Sequence, residues 1–244
     1  MANYTLENKS FRMGIRDGLP ICLGYISVSF AFGIFASSLG LRVYEVLLIS
    51  MLNVTSAGQL AAAPIIASMG SFVELAMTQL VINLRYSLMS VSLSQKLGES
   101  VRLRDRFLIS FVNTDEVFAV SSGKEGKVGR KYMYGLILTP YIGWSLGTLL
   151  GAVAGNILPA IVVSALGIAI YAMFIAIVTP FVKSGITPLL CIGMAASISA
   201  ILFYVPVFAS VSDGFKIIIA AVLSSLLFAI VAPIEDEREA VENE

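Results

Sequence analysis

The chain has 244 residues, 57% of them hydrophobic and only 13% charged, with no net charge at neutral pH. A soluble domain of this size carries about 25% charged residues, so the composition excludes an ordinary soluble fold and indicates an all-α polytopic integral membrane protein. Zero net charge gives no footing for nucleic acid. The absence of histidine removes the commonest metal ligand and the commonest general base at neutral pH.

The first 18 residues are largely polar and read as a cytoplasmic N-terminal segment. They lead into an apolar run without a convincing cleavage site, which fits a retained first span. A helical span needs about 20 apolar residues. The candidates in chain order are Leu19–Leu39, Val43–Met69, Phe72–Ser94, Tyr132–Ala154, Ile157–Val182, Pro188–Val205 and Phe215–Ala232. An eighth run, Phe107–Val120, is short and contains two acids. Short connections join most of these runs, so residues 19–232 read as a single transmembrane domain, and 233–244 as an acidic cytoplasmic tail. Cys22 and Cys191 both lie in apolar runs and read as small core residues, neither a disulfide nor a metal pair.

Basic residues set the expected topology, because cytoplasmic loops carry an excess of Lys and Arg. Three clusters stand out: Lys9, Arg12 and Arg16; Lys96, Arg102, Arg104 and Arg106; and Lys124, Lys127, Arg130 and Lys131. All three lie on one face if neither Phe107–Val120 nor Val43–Met69 crosses. The second run is broken in its middle by NVTSAGQ. The favoured arrangement is six crossings plus two re-entrant or broken segments, with both termini cytoplasmic. A seven-crossing version with the N-terminus outside is the alternative. The stretch Leu47 to Ala63 also echoes Phe107 to Ser122, as do the interrupted segments of transporters built from internal repeats.

Several residues could carry function. In TSAGQL, Thr55 to Leu60, Gly58 breaks a helix easily and Thr55 or Ser56 can cap a new one. The half-helix that follows would offer free amides and a partial positive charge to a carboxylate. Gln59 adds a polar side chain that close packing does not need. Arg85, in INLRYSL, lies near the middle of its span, where arginine costs roughly 2.5–3.5 kcal/mol. Its candidate partners are Asp115, Glu116 and Glu74, and it reads either as a structural ion pair or as an anion-binding or gating residue. Asn83, two residues away and on a different face, joins Thr55, Ser56, Gly58, Gln59 and Arg85 as a substrate-binding candidate.

VNTDEVFAV, Val112 to Val120, has two readings. It is either an interfacial helix capped by Asn113 or Thr114, or a re-entrant half-helix that carries a carboxylate to Arg85 or to a proton path. Asp115 and Glu116 are the coupling or gating candidates. They point about 100° apart on a helix and so take different roles. Gly143, Gly147, Gly151 and Gly155 recur every four residues and form a stripe for close helix packing. No nucleotide loop, metal cluster or nucleophile–base pair is visible, so the sequence indicates no enzyme, cofactor or metal.

The order FRMGIRDGLPICLGYISVSFAFG, SMLNVTSAGQL, VINLRYSLMSVSLS, NTDEVFAV resembles the AzlC family of membrane permeases, with clear motifs from about Phe11 to Tyr134. The resemblance implies export of branched-chain amino acids, with methionine a further candidate. It implies a small membrane partner of the AzlD type and a bacterial or archaeal cytoplasmic membrane. Two features depart from the family pattern. Val54-Thr55-Ser56-Ala57-Gly58-Gln59 replaces an aromatic or Tyr-Ala-Gly lead, and Tyr86 stands where a histidine often follows the Asn-x-Arg pair. A proton role for that histidine is therefore not carried over. The expected function is a secondary exporter of hydrophobic amino acids. The half-helix after Gly58 would hold the carboxylate, and Gln59 and Thr55 would orient it. Arg85 would supplement that site or pair with Asp115 as a gate. A passive channel for a small polar solute and a non-transporting scaffold subunit are the rivals.

Overall fold

The apolar runs fold as helices, since a chain in hydrocarbon must satisfy its own backbone polar groups. A computed structural model of the chain describes residues 11–159 and 185–232, with positions 161, 175, 179, 182 and 183 between them. The helices are α1 (Phe11–Ser38), α2 (Val43–Leu52), α3 (Ser56–Ala67), α4 (Phe72–Lys96), α5 (Leu103–Phe111), α6 (Asp115–Ser122), α7 (Arg130–Ile157), α8 (Ile186–Tyr204) and α9 (Asp213–Val231). Among the described residues, α1, α7, α8 and α9 are long and apolar enough to cross a membrane. The 25-residue α4 is also long enough but carries Arg85 within it. The first ten residues, most of Ile157–Val182 and the acidic tail lie outside the described residues.

The contacts form two compact units, Met1–Gly70 with Ile82–Tyr171 and Ser71–Val81 with Ala172–Glu244. The first is built on α1 and α7. Both have 28 residues, about 42 Å at 1.5 Å per residue, which spans a bilayer with its headgroups. They run parallel, because Gly14 meets Gly135, Cys22 meets Gly143, Phe30 meets Gly151 and Ile34 meets Gly155. A Cβ at Gly14, Gly33, Gly135, Gly147 or Gly151 would collide with backbone of the facing helix. Small residues let the two backbones approach, and packing replaces the hydrophobic drive that lipid cannot supply. The contact requires α1 to start at Phe11, so residues 11–18, expected as a polar lead-in, are its first two turns.

The parallel pair fixes which face each end occupies. Lys124 pairs with Asp17 at 2.7 Å, and Tyr132 donates to the same carboxylate at 2.8 Å. The Gly98 and Val128 amides bond the Val128 and Lys96 carbonyls, each at 2.9 Å. Asp105 accepts from the Tyr134 hydroxyl at 2.6 Å and from the Arg102 amide at 2.8 Å. These bonds, with Arg130 and Arg104 nearby, hold its carboxyl below the ordinary carboxylate range. The basic residues flanking α5–α6 and those at the start of α1 therefore share one face.

The two broken segments return to the faces they leave. Leu41, Val46 and Ala63 share one cluster with Phe32, Ala36 and Ala152, and Ile66 and Ala67 pack against it. The α2–α3 segment thus enters from the face opposite the basic residues and goes back to it. The α5–α6 segment starts beside Arg130 and ends beside Asp17, so it enters and leaves at the basic face. Each segment thus turns back on itself, as a broken or re-entrant segment does. The two segments repeat each other from their first residues. In each, a first-turn carboxylate accepts the amide of the residue before the helix, Glu45 from Arg42 and Asp105 from Arg102, both at 2.8 Å. The echo thus starts at Arg42 and Arg102, earlier than Leu47 and Phe107.

In the second unit, α8 and α9 form an antiparallel hairpin. Phe203 lies 4.7 Å from the Lys216 ammonium near the turn, and Thr187 and Ala232 line one cavity at the other end. Glu74, in the first turn of α4, accepts the Gly214 amide at 3.0 Å, at the N-terminus of α9.

The packing account predicts a contrast within α1 and α7. Gly151→Leu should destabilise the protein by about 1–3 kcal/mol or more through overpacking. Gly24→Ala faces open space and should be neutral or stabilising by up to about 1 kcal/mol. Thermal unfolding in detergent, followed by circular dichroism, compares the two.

Candidate functional site

Each broken segment is capped in the same way. Thr55 is extended (φ −151°, ψ 125°) and its hydroxyl accepts the Gly58 amide at 3.5 Å. Thr114 is extended (φ −86°, ψ 170°) and accepts the Val117 amide at 3.4 Å. The Thr55 amide bonds the Asn53 carbonyl at 2.8 Å, and the Thr114 amide bonds the Val112 carbonyl at 3.0 Å. A threonine is suited to this position, because its short hydroxyl satisfies an amide that the new helix leaves orphaned.

The two breaks face one cavity of about 150 Å³. Asn53, Val54 and Thr55 line it from the first break, and Ser110, Phe111 and Asn113 from the second. Asn83 and Tyr86 line it from α4. Its depth follows from helix rise. Tyr25, whose hydroxyl lies 2.6 Å from that of Thr114, lies eight residues beyond Asp17 in α1, about 12 Å at 1.5 Å per residue. With the charged Asp17–Lys124 pair taken as the membrane boundary, a hydrocarbon core about 30 Å thick puts the breaks near its middle.

The cavity wall combines several kinds of chemistry. Thr55 marks the N-terminus of α3, where orphan amides and the helix dipole favour an anion. Asn113 is 3% exposed, and its Nδ2 donates to Ser90 at 3.3 Å. Its Oδ1 is buried with no partner among the described residues. Leu52, Val54 and Phe111 supply apolar wall.

Beside the cavity lie the charges. One guanidinium nitrogen of Arg85, Nη1, is 2.8 and 3.0 Å from the two Asp115 carboxylate oxygens. Its Nη2 donates to the Tyr86 hydroxyl at 3.1 Å, with the guanidinium 4.8 Å from the Tyr86 ring. Asp115 is thus the partner of Arg85. Glu116 takes a different one, accepting from the Tyr25 hydroxyl. Tyr25 is itself held edge-on by Trp144, with ring centroids 5.0 Å apart.

Of the residues expected to bind substrate, Thr55 and Asn83 line the cavity, and Arg85 adjoins it through Tyr86. Ser56 opens α3, and Gly58 is buried three residues beyond the Thr55 cap. Gln59 is 0% exposed, with neither amide atom partnered among the described residues, and stands outside the cavity lining. Gly143, Gly147, Gly151 and Gly155 face α1. Asn53, Tyr86 and Asn113 are site residues that sequence reasoning missed, and Tyr25 is a further one. Aligning the two echoes would have raised Asn53 and Asn113 together. Nothing local signals Tyr25, since its partners are 89 and 91 residues away.

Residues 20–158 match the model of the family described as AzlC protein. An uncharacterized membrane protein of Archaeoglobus fulgidus is 35% identical over 179 residues, covering 72% of this chain and 78% of that protein. The inner membrane protein YgaZ of Escherichia coli is 32% identical over 173 residues, covering 68% of this chain and 70% of its own length. An uncharacterized membrane protein of Helicobacter pylori is 23% identical, covering 61% of this chain and 65% of its own length. No solved structure matches the chain.

The Arg85–Asp115 pair predicts a thermodynamic coupling. Either charge left alone at this depth is costly, so losing one partner costs more than the lost attraction itself. Arg85→Gln and Asp115→Asn should each destabilise the protein, and the double variant by less than their sum. Denaturant titration of the four proteins measures this, and strict additivity would contradict the pairing.

Proposed function

Because the chain belongs to the AzlC family, we propose that it is a secondary transporter exporting branched-chain, hydrophobic amino acids. Its setting is the cytoplasmic membrane of a bacterial or archaeal cell, and it works with a small AzlD-like membrane subunit. One observation carries this reading: a single cavity lined from both breaks, with Thr55, the cap of α3, and the buried amide of Asn113 both in its wall. The helix end suits a carboxylate and the amide oxygen suits an ammonium. Those are the two charges that every zwitterionic amino acid presents. The apolar wall of Leu52, Val54 and Phe111 suits a hydrocarbon side chain.

In this reading the basic face is cytoplasmic, by the excess of Lys and Arg there. The name of the E. coli relative supports an inner-membrane setting. Asn53, Thr55, Asn83 and Asn113 orient the substrate. The Arg85–Asp115 pair acts as the gate, because it adjoins the cavity through Tyr86 and is only half covered. Glu116, on its separate hydrogen bond to Tyr25, takes the proton-coupling role. The division follows the helix, which points adjacent acids about 100° apart. Half-helices also build passive channels, but a channel cannot move a solute against its gradient.

Cells preloaded with leucine test the proposal. Efflux should need this chain together with its small partner, and should fall at least tenfold in Arg85→Ala at normal membrane abundance. Efflux should also proceed against an outward-facing leucine excess. No efflux of any branched-chain amino acid, with both proteins present in the membrane, would overturn the exporter. Efflux only down the gradient would turn the reading into a channel.

A further inference from the structure

A second space lies on the other side of the α5–α6 break. It is an apolar groove of about 410 Å³ between the start of α1, α5 and α7, walled by Leu108, Val112, Ile137, Leu138 and Tyr141. Phe111 is the one residue that lines both this groove and the polar cavity. Its ring leans on Tyr141, with centroids 6.2 Å apart and planes tilted by 58°. Tyr141 is anchored in turn, since its hydroxyl donates to the Met51 carbonyl at 3.2 Å, one residue before Leu52 of the cavity wall. Phe111, 48% exposed, is therefore the side chain shared by a polar space and an apolar one, backed by a ring tied to the opposite break.

We propose that Phe111 is the size-selecting residue of the site, the partition against which the substrate side chain packs and beyond which the groove offers room for a larger one. The proposal rests on the amino-acid reading above and adds to it a subsite and its ligand chemistry. The polar cavity holds the carboxylate and the ammonium. At about 150 Å³ it is comparable with an apolar cavity that holds benzene, which leaves room for a short aliphatic side chain. The groove is walled mainly by hydrocarbon, so the group it would take is a bulky apolar one. With phenylalanine in place the two spaces stay separate and aliphatic side chains are favoured. Truncation would join them and admit aromatic side chains.

Binding to the purified full chain in lipid nanodiscs tests this apart from transport. Radiolabelled alanine, leucine and phenylalanine are the probes, with Phe111→Ala, Phe111→Trp and Leu138→Trp as variants. Leu138 is 42% exposed on the groove side, so its replacement leaves the packed core untouched and serves if a Phe111 variant fails to fold. Phe111→Ala should raise the phenylalanine-to-leucine affinity ratio about tenfold. Phe111→Trp should weaken leucine about tenfold and leave alanine within about twofold. Leu138→Trp in the Phe111→Ala background should reverse the gain for phenylalanine. Affinity ratios unchanged in all variants, with leucine still bound, would overturn the partition while leaving the amino-acid site standing. Failure of the wild-type chain to bind any amino acid, alone or with its small partner, would overturn both. A gain in phenylalanine affinity that Leu138→Trp leaves intact would overturn the groove as the subsite.

Discussion

A helix that breaks inside a bilayer leaves amides and carbonyls that hydrocarbon cannot satisfy, at several kcal/mol each. The first unit contains two such breaks, and its arrangement follows from the need to satisfy them. The threonine caps take amides at the start of α3 and α6. The carbonyls at the end of α2 are met from α7, where Trp144 donates to Ser50 at 3.1 Å and Tyr141 to Met51 at 3.2 Å. Tyr25 of α1 reaches the second break. Helices α1 and α7 thus serve both as a frame and as sources of polar side chains at the right depth. The glycine contacts that hold them parallel decide where Tyr25, Tyr141 and Trp144 arrive.

The same constraint explains why the charged residues sit where they do. An arginine at a helix centre costs roughly 2.5–3.5 kcal/mol, and a carboxylate alone at that depth is also costly. Placed together beside the second break, Arg85 and Asp115 offset each other. Backbone irregularity at membrane depth persists only where protein or a water-filled cavity covers it. Here it borders a cavity lined by polar side chains. Break, cavity and ion pair form one arrangement, in which each makes the others tolerable.

Much of this was legible in the chain itself. TSAGQL and VNTDEVF announce both breaks, because Gly58, Thr55 and Thr114 have local conformational and capping preferences that need no tertiary context. Arg85 stands out by its cost alone. The glycine stripe announces a close neighbour but not its identity, since hydropathy carries no pairing information, and the parallel partner proved to be α1. The start of α5 was hidden because Arg102, Arg104, Asp105 and Arg106 look like a loop. Arg104, Asp105 and Arg106 become helical, with Arg102 as the extended residue before them, where Asp105 finds Tyr134 and the Arg102 amide. Gln59 drew attention as a polar group in an apolar run, yet it is buried behind the cap. Asn113 and Tyr25 carry more of the site, and their meaning comes from residues distant in sequence.

The central claim is that the two breaks meet at one substrate cavity. Paired cysteines at Asn53 and Asn113, in a chain with Cys22 and Cys191 replaced by alanine, test it directly. A short bifunctional thiol reagent applied to native membranes should join the pair, and leucine should slow the reaction. Two cysteines that each react singly but never cross-link, with or without leucine, would contradict a shared cavity.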